Sequence, residues 1–105
     1  MKNPLQITFQ GCESSDVVRM TIEREFQRLE MHDRRITSGR VTVIAPSDHH
    51  QHGAGFQIHI LLTIPPHENI IVSHSSSDDR RDQHAESSVK DAFAAASRQI
   101  EGIPK

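Results

Sequence analysis

Phe56-Gln57-Ile58-His59-Ile60-Leu61-Leu62-Thr63-Ile64 is the longest alternation in the chain. Phe56, Ile58, Ile60, Leu62 and Ile64 fall on one side, and Gln57, His59, Leu61 and Thr63 on the other. A period of two is that of a β-strand with one buried face. Pro65-Pro66 follows at once and stops the strand, because proline has no N–H to give to a ladder.

Working outward, the segment from Ile36 to Ala45 reads as an earlier strand, with Val41, Val43 and Ala45 on one face and Pro46 at its end. Glu68 to His74 contains a shorter later strand around Ile70, Ile71 and Val72. At the start of the chain Leu5, Ile7 and Phe9 alternate with Gln6, Thr8 and Gln10, and Gly11 closes that strand. Two segments change period. Val18, Ile22, Phe26 and Leu29 are spaced four, four and three apart, which places them on one helical stripe. Ser14 or Ser15 offers the N-cap hydroxyl and Asp16 suits the positive helix end, so a helix is predicted from about Asp16 to about His32. Ala85, Val89, Phe93, Ala96 and Ile100 give a second helix from about Asp82, ended near Gly102 and Pro104.

The order is β-α-β-β-β-α, an α+β chain. A right-handed crossover makes the first strand parallel to the second. The next two turns make an antiparallel meander. Two helices with one apolar stripe each cover one face of a four-stranded sheet. The other face carries Thr42, Ile44, Gln57, His59, Leu61 and Thr63.

With 105 residues the chain is expected to form a single domain spanning 1–105. Apolar residues make up only 34%, but charge is balanced, so a folded chain is expected. The apolar run near Ile58 to Ile64 falls far short of the roughly 20 residues of a membrane helix. No basic segment precedes an apolar run, so no secretory signal is expected. The single cysteine, Cys12, can form no internal disulfide and no cysteine-rich zinc site. A soluble, reducing, cytoplasmic setting is the expectation.

The 12 lysines and arginines nearly balance 14 carboxylates, for a net charge of −2, but their placement is uneven. Residues 36–77 contain Arg40 alone among lysines and arginines, while ten of the 12 lie in residues 15–35 and 78–105, in or beside the helices. Arg24 and Arg28 are one turn apart, away from the Phe26 stripe. Arg34 and Arg35 extend the positive surface into the corner after the helix. On the second helix Arg98 faces outward and Lys90 lies on a flank. These six residues are the candidate phosphate-contacting set. The competing reading is a solvated helix surface in which Glu23, Glu25 and Glu30 neutralise the arginines.

The pattern resembles the ribosome hibernation promoting factor and ribosome-associated inhibitor family, also called sigma-54 modulation proteins. The likeness covers about residues 5 to 100. It is carried by the opening strand Leu5-Gln6-Ile7-Thr8-Phe9-Gln10-Gly11, by Phe26-Gln27-Arg28-Leu29-Glu30 followed by Arg35-Ile36, and by the helix end Arg98-Gln99-Ile100. The resemblance implies a layout related to double-stranded-RNA-binding domains. It implies binding to the 30S subunit through 16S rRNA, in the channel used by messenger and transfer RNA, and silencing of translation in stationary or stressed cells. It implies no enzymatic activity and no cofactor. Arg28, Arg35 and Arg98 fall where family members carry basic residues. Three departures stand out: Ala95 replaces a usual lysine, His84 replaces a usual acidic residue, and the chain closes Glu101-Gly102-Ile103-Pro104-Lys105 without the usual lysines. Fewer phosphate contacts mean a flatter salt dependence.

Other chemistry has less to stand on. His49, His50 and His52, with His59, are candidate ligands for nickel or zinc. No carboxylate at a helical spacing completes a site, so a solvated loop is the expectation there. Cys12, in the turn before the first helix, lacks a placed base and reads as a loop residue. Gly53-Ala54-Gly55 reads as a turn and not as a phosphate loop. Ile44, Leu61 and Ile71 leave an apolar patch on the open sheet face, which points to the alternative of a homodimeric module that has lost the ribosome. Finally, protonated histidines below about pH 6.5 would restore positive charge and make RNA binding pH-dependent.

Overall fold

Alternating and helical apolar patterns both resolve as elements in the computed structural model, which describes residues 4–45, 56–75 and 85–104. In chain order these are β1 (Leu5–Gln10), α1 (Asp16–His32), β2 (Ser38–Ile44), β3 (Gln57–Thr63), β4 (Ile70–Ser75) and α2 (Ala85–Glu101). The expected β-α-β-β-β-α order is present, and the strands lie in the order β1-β2-β3-β4. β1 pairs parallel to β2, and the two later pairings are antiparallel.

Register follows from burial. Ile7, Val41, Ile60 and Val72 stand side by side across the sheet on its helix-covered face. One residue along, Gln6, Arg40, Leu61 and Ile71 form the matching row on the open face. A slip of one residue in any strand would exchange these rows, moving apolar side chains into water. Pairing runs slightly past the strand ends: the Thr37 amide donates to the Thr63 carbonyl at 2.8 Å, and the Ala45 amide to the Gln10 carbonyl at 3.0 Å.

The core is the stripe of each helix against that face. Ile22, Phe26 and Leu29 of α1 and Val89, Phe93, Ala96 and Ile100 of α2 are buried, as are Val41, Val43, Ile58, Ile60, Leu62 and Ile64. Leu5, Ile7 and Phe9 of the edge strand β1 are only partly buried, whereas Ile70 and Val72 of the other edge strand, β4, are buried. Burying each large aliphatic or aromatic side chain is worth roughly 1.5–3 kcal/mol. α1 starts on the Ser15 hydroxyl, which accepts from the Val18 amide at 3.3 Å. At Gly39 of β2 the backbone comes so near the Phe26 ring that a Cβ there would lie 2.5 Å from Cε1. Only glycine leaves room for the Phe26 ring to rest against β2 at this point. The expected start of the second helix at Asp82, like Pro46, lies outside the described residues.

Candidate nucleic-acid interface

α1 and α2 run side by side in the same direction. Ser15 and Val18 share a recess with Ala85 and Glu86 at one end, and His32 lies with Ser97 and Glu101 at the other. Between these ends the helices enclose an open groove of about 430 Å³, lined by Arg24, Glu25, Arg28, Leu29, His32, Lys90, Phe93, Ala94 and Ser97. Arg24, Arg28 and His32 recur every four residues, so they form one flank of α1. Lys90, Ala94 and Ser97 form the facing flank of α2. Leu29 and Phe93 close the floor, and the cations stand on the rim.

Three of the six residues expected to meet phosphate, Arg24, Arg28 and Lys90, therefore come together from two helices. Glu25 is the one carboxylate lining this groove, and it lies 3.6 Å from the Arg28 guanidinium. Arg28 remains 64% exposed, so that pair is solvent-screened and leaves the cation available. Among the described residues, Glu23 and Glu30 form no ion pair with either arginine, and helical spacing puts them on the opposite flank of α1. Arg24 and Lys90 form no ion pair with another described residue.

Arg35 has a different setting. Its Nε and Nη2 donate to the two carboxylate oxygens of Asp33 at 2.9 and 2.7 Å, a bidentate pair. The Arg35 amide also donates to Asp33, at 3.0 Å. Nη1 donates to the Pro104 carbonyl at 2.8 Å and Nη2 to the Ile103 carbonyl at 3.3 Å. Arg35 thus fastens the segment after α2 to the corner between α1 and β2. The hydrogen bond to Asp33 is the main cause that raises the pKa of Arg35. Desolvation opposes the rise, and attraction to the Asp33 charge adds to it. Arg34, in the same corner, is exposed, and so is Arg98 on the outer side of α2; neither lines the interhelical groove.

On the open sheet face Arg40 Nε donates to Gln6 Oε1 at 3.3 Å, and His59 Nδ1 lies 3.1 Å from the Ser73 hydroxyl. Ile71 is 67% exposed there, beside the half-buried Leu61. Cys12 is exposed, with only a 3.7 Å contact from its thiol to the Gln10 carbonyl. His49, His50 and His52, and Gly53 to Gly55, lie outside the described residues. Among the described residues no three histidine, cysteine or acidic side chains gather as metal ligands.

Two residues were missed as members of the surface. His32 belongs to the groove, and its signal was available as the next step of four after Arg24 and Arg28. Arg19 lies over the Phe9 ring at 5.6 Å on the other flank of α1, a pairing across an edge strand that spacing does not reveal.

Fold and groove define a small α+β domain that covers one sheet face with two parallel helices and brings Arg24, Arg28 and Lys90 together between them. The chain belongs to the sigma 54 modulation protein / S30EA ribosomal protein family, whose sequence pattern matches residues 5–103. It is thus a member of a family of ribosome-associated factors, which are not enzymes. No curated protein matches the sequence. Among solved structures, a ribosomal subunit interface protein from Coxiella burnetii is similar, with a TM-score of 0.73 and 16% identity over 93% of each chain. The N-terminal domain of Thermus thermophilus Protein Y is similar too, with a TM-score of 0.72 and 14% identity over 95% of this chain and 97% of that one. At these identities the likeness is one of fold. Among the described residues no helix is long and apolar enough to cross a membrane.

Proposed function

We propose that the chain is a cytoplasmic hibernation factor that binds the 30S subunit through 16S rRNA and inhibits translation under stress. Arg24, Arg28 and Lys90 contact phosphates along the interhelical groove, and Arg34 and Arg98 add contacts outside it. Arg35 holds the frame instead of the RNA. The action is steric: a rigid domain occupies the channel of messenger and transfer RNA, so no bond is made or broken. The observation that carries this reading is the convergence of three cations from two helices on one groove whose single carboxylate leaves a net positive rim. Phosphate contacts of this type give affinity that falls steeply with salt.

The test is co-sedimentation of the purified protein with 30S subunits across a salt series. The wild-type chain should pellet with subunits at low salt. The triple variant Arg24→Gln/Arg28→Gln/Lys90→Gln should stay in the supernatant. Absence of wild-type co-sedimentation at low salt would end the reading.

A second reading, a homodimeric module joined through the open sheet face, draws on the exposure of Ile71 beside Leu61. It requires a concentration-dependent dimer without RNA affinity, which mass measurement by light scattering decides.

A further inference from the structure

The cationic groove ends at a histidine. His32 is exposed, sits in the last turn of α1, and lines both the groove and the recess in which Arg35 fastens the chain end. A helix C-terminus carries partial negative charge, which favours a cation there. The charged groups around His32 come from every packed element. α1 supplies Arg24, Glu25 and Arg28; the corner supplies Asp33 and Arg35; α2 supplies Lys90 and Glu101. Of these groups and His32 itself, a histidine is the one whose charge ordinarily changes between about pH 5 and pH 8.

We propose that His32 is a pH-dependent fourth phosphate contact of the interhelical groove, so that acidification tightens RNA binding at the end where α1 meets the chain terminus. The proposal rests on the RNA-binding reading and adds its regulation. A protonated imidazole one turn beyond Arg28 continues the line of the two arginines along a phosphate backbone. The neutral ring supplies no counterion release. One further contact steepens the salt slope by about 0.7–0.9, which at about 0.1 M salt corresponds to a five- to eightfold gain in affinity.

The test is fluorescence anisotropy with a rhodamine-labelled RNA hairpin built of G·C pairs, at pH 5.5 and pH 8. Wild type, His32→Gln and His67→Gln are compared. His67 is exposed in the turn after β3 and does not line the groove. Wild type and His67→Gln should bind about five- to eightfold more tightly at pH 5.5, with a steeper salt slope. In His32→Gln that ratio should fall to near one. Equal wild-type affinity at both pH values would overturn the proposal and leave RNA binding standing. A ratio that survives in His32→Gln would overturn it too, assigning the effect to other histidines. Failure of the wild type to bind at either pH would remove the RNA-binding reading itself, and the proposal with it.

Discussion

Gly39→Ala should lower stability because a methyl group cannot fit between β2 and α1. The added Cβ would stand 2.5 Å from Cε1 of Phe26 and 3.2 Å from Cδ1 and Cζ. Carbon atoms prefer about 3.5–4.0 Å, so the ring must retreat by roughly 1 Å. Phe26 is 2% exposed, and its neighbours Ile22 and Leu29 are buried, so no free space receives the ring. Overpacking of this kind costs about 1–3 kcal/mol. Replacing glycine by alanine restricts the unfolded chain and returns about 0.4–1 kcal/mol. The net expectation is a loss of about 1–2 kcal/mol, which for a domain near 100 residues lowers Tm by about 4–16 °C. Circular dichroism melts in heat and urea measure this, with the urea slope unchanged if the native fold persists. Phe26→Leu shortens the opposing side chain, so the double variant should be more stable than the sum of the two single losses predicts, by at least about 1 kcal/mol. The refuting result is a Gly39→Ala protein as stable as wild type, or two losses that simply add. Either would mean that the Phe26 ring does not pack against Gly39, and that α1 is anchored to the sheet in another way.

Three further outcomes are expected. The three groove contacts alone should lower wild-type RNA affinity about 20- to 40-fold between 50 and 200 mM salt, contacts by Arg34 and Arg98 adding to that, and Lys90→Gln should flatten the slope by about 0.7–0.9, read by titration at several salt concentrations. Ser15→Ala removes the cap that accepts from Val18 and should cost about 1 kcal/mol, seen as a lower urea midpoint. Arg35→Gln should free the chain end and speed carboxypeptidase digestion, since it loses the bonds to the Ile103 and Pro104 carbonyls. The raised pKa of Arg35 means that its contribution to stability is present below its unfolded-state value and lost only at strongly alkaline pH. The difference in Tm between wild type and Arg35→Gln should therefore stay constant from about pH 6 to pH 10.

What could be read from the sequence follows from what is local. Phe56 to Ile64 announces a half-buried strand because a period of two needs no partner to be recognised. The stripes of α1 and α2, and the Ser15 cap, are local in the same way. Pairings across the fold are not. Nothing near Phe26 says that Gly39 will receive its ring. Arg35 bonds to carbonyls 68 and 69 residues away, so spacing alone made it one more surface cation. Arg24, Arg28 and Lys90 were each legible as exposed charge, but their meeting depends on two helices lying in the same direction. That arrangement follows from the crossover and the meander together and from no single segment. The carboxylates of α1 show the same limit: composition counted Glu23, Glu25 and Glu30 alike, and only Glu25 faces the arginines.

The interhelical groove, and not the open sheet face, is the surface proposed to meet 16S rRNA. In a Cys12→Ser background, a single cysteine at Met31, 76% exposed and close after Arg28, or at Ser73 on the open face, can carry a tethered iron chelate that cleaves nearby RNA. Bound to 30S subunits, the probe at Met31 should cut 16S rRNA strongly and the probe at Ser73 weakly or not at all. Strong cleavage from Ser73 with none from Met31 would place the open sheet face, and not the groove, against the rRNA.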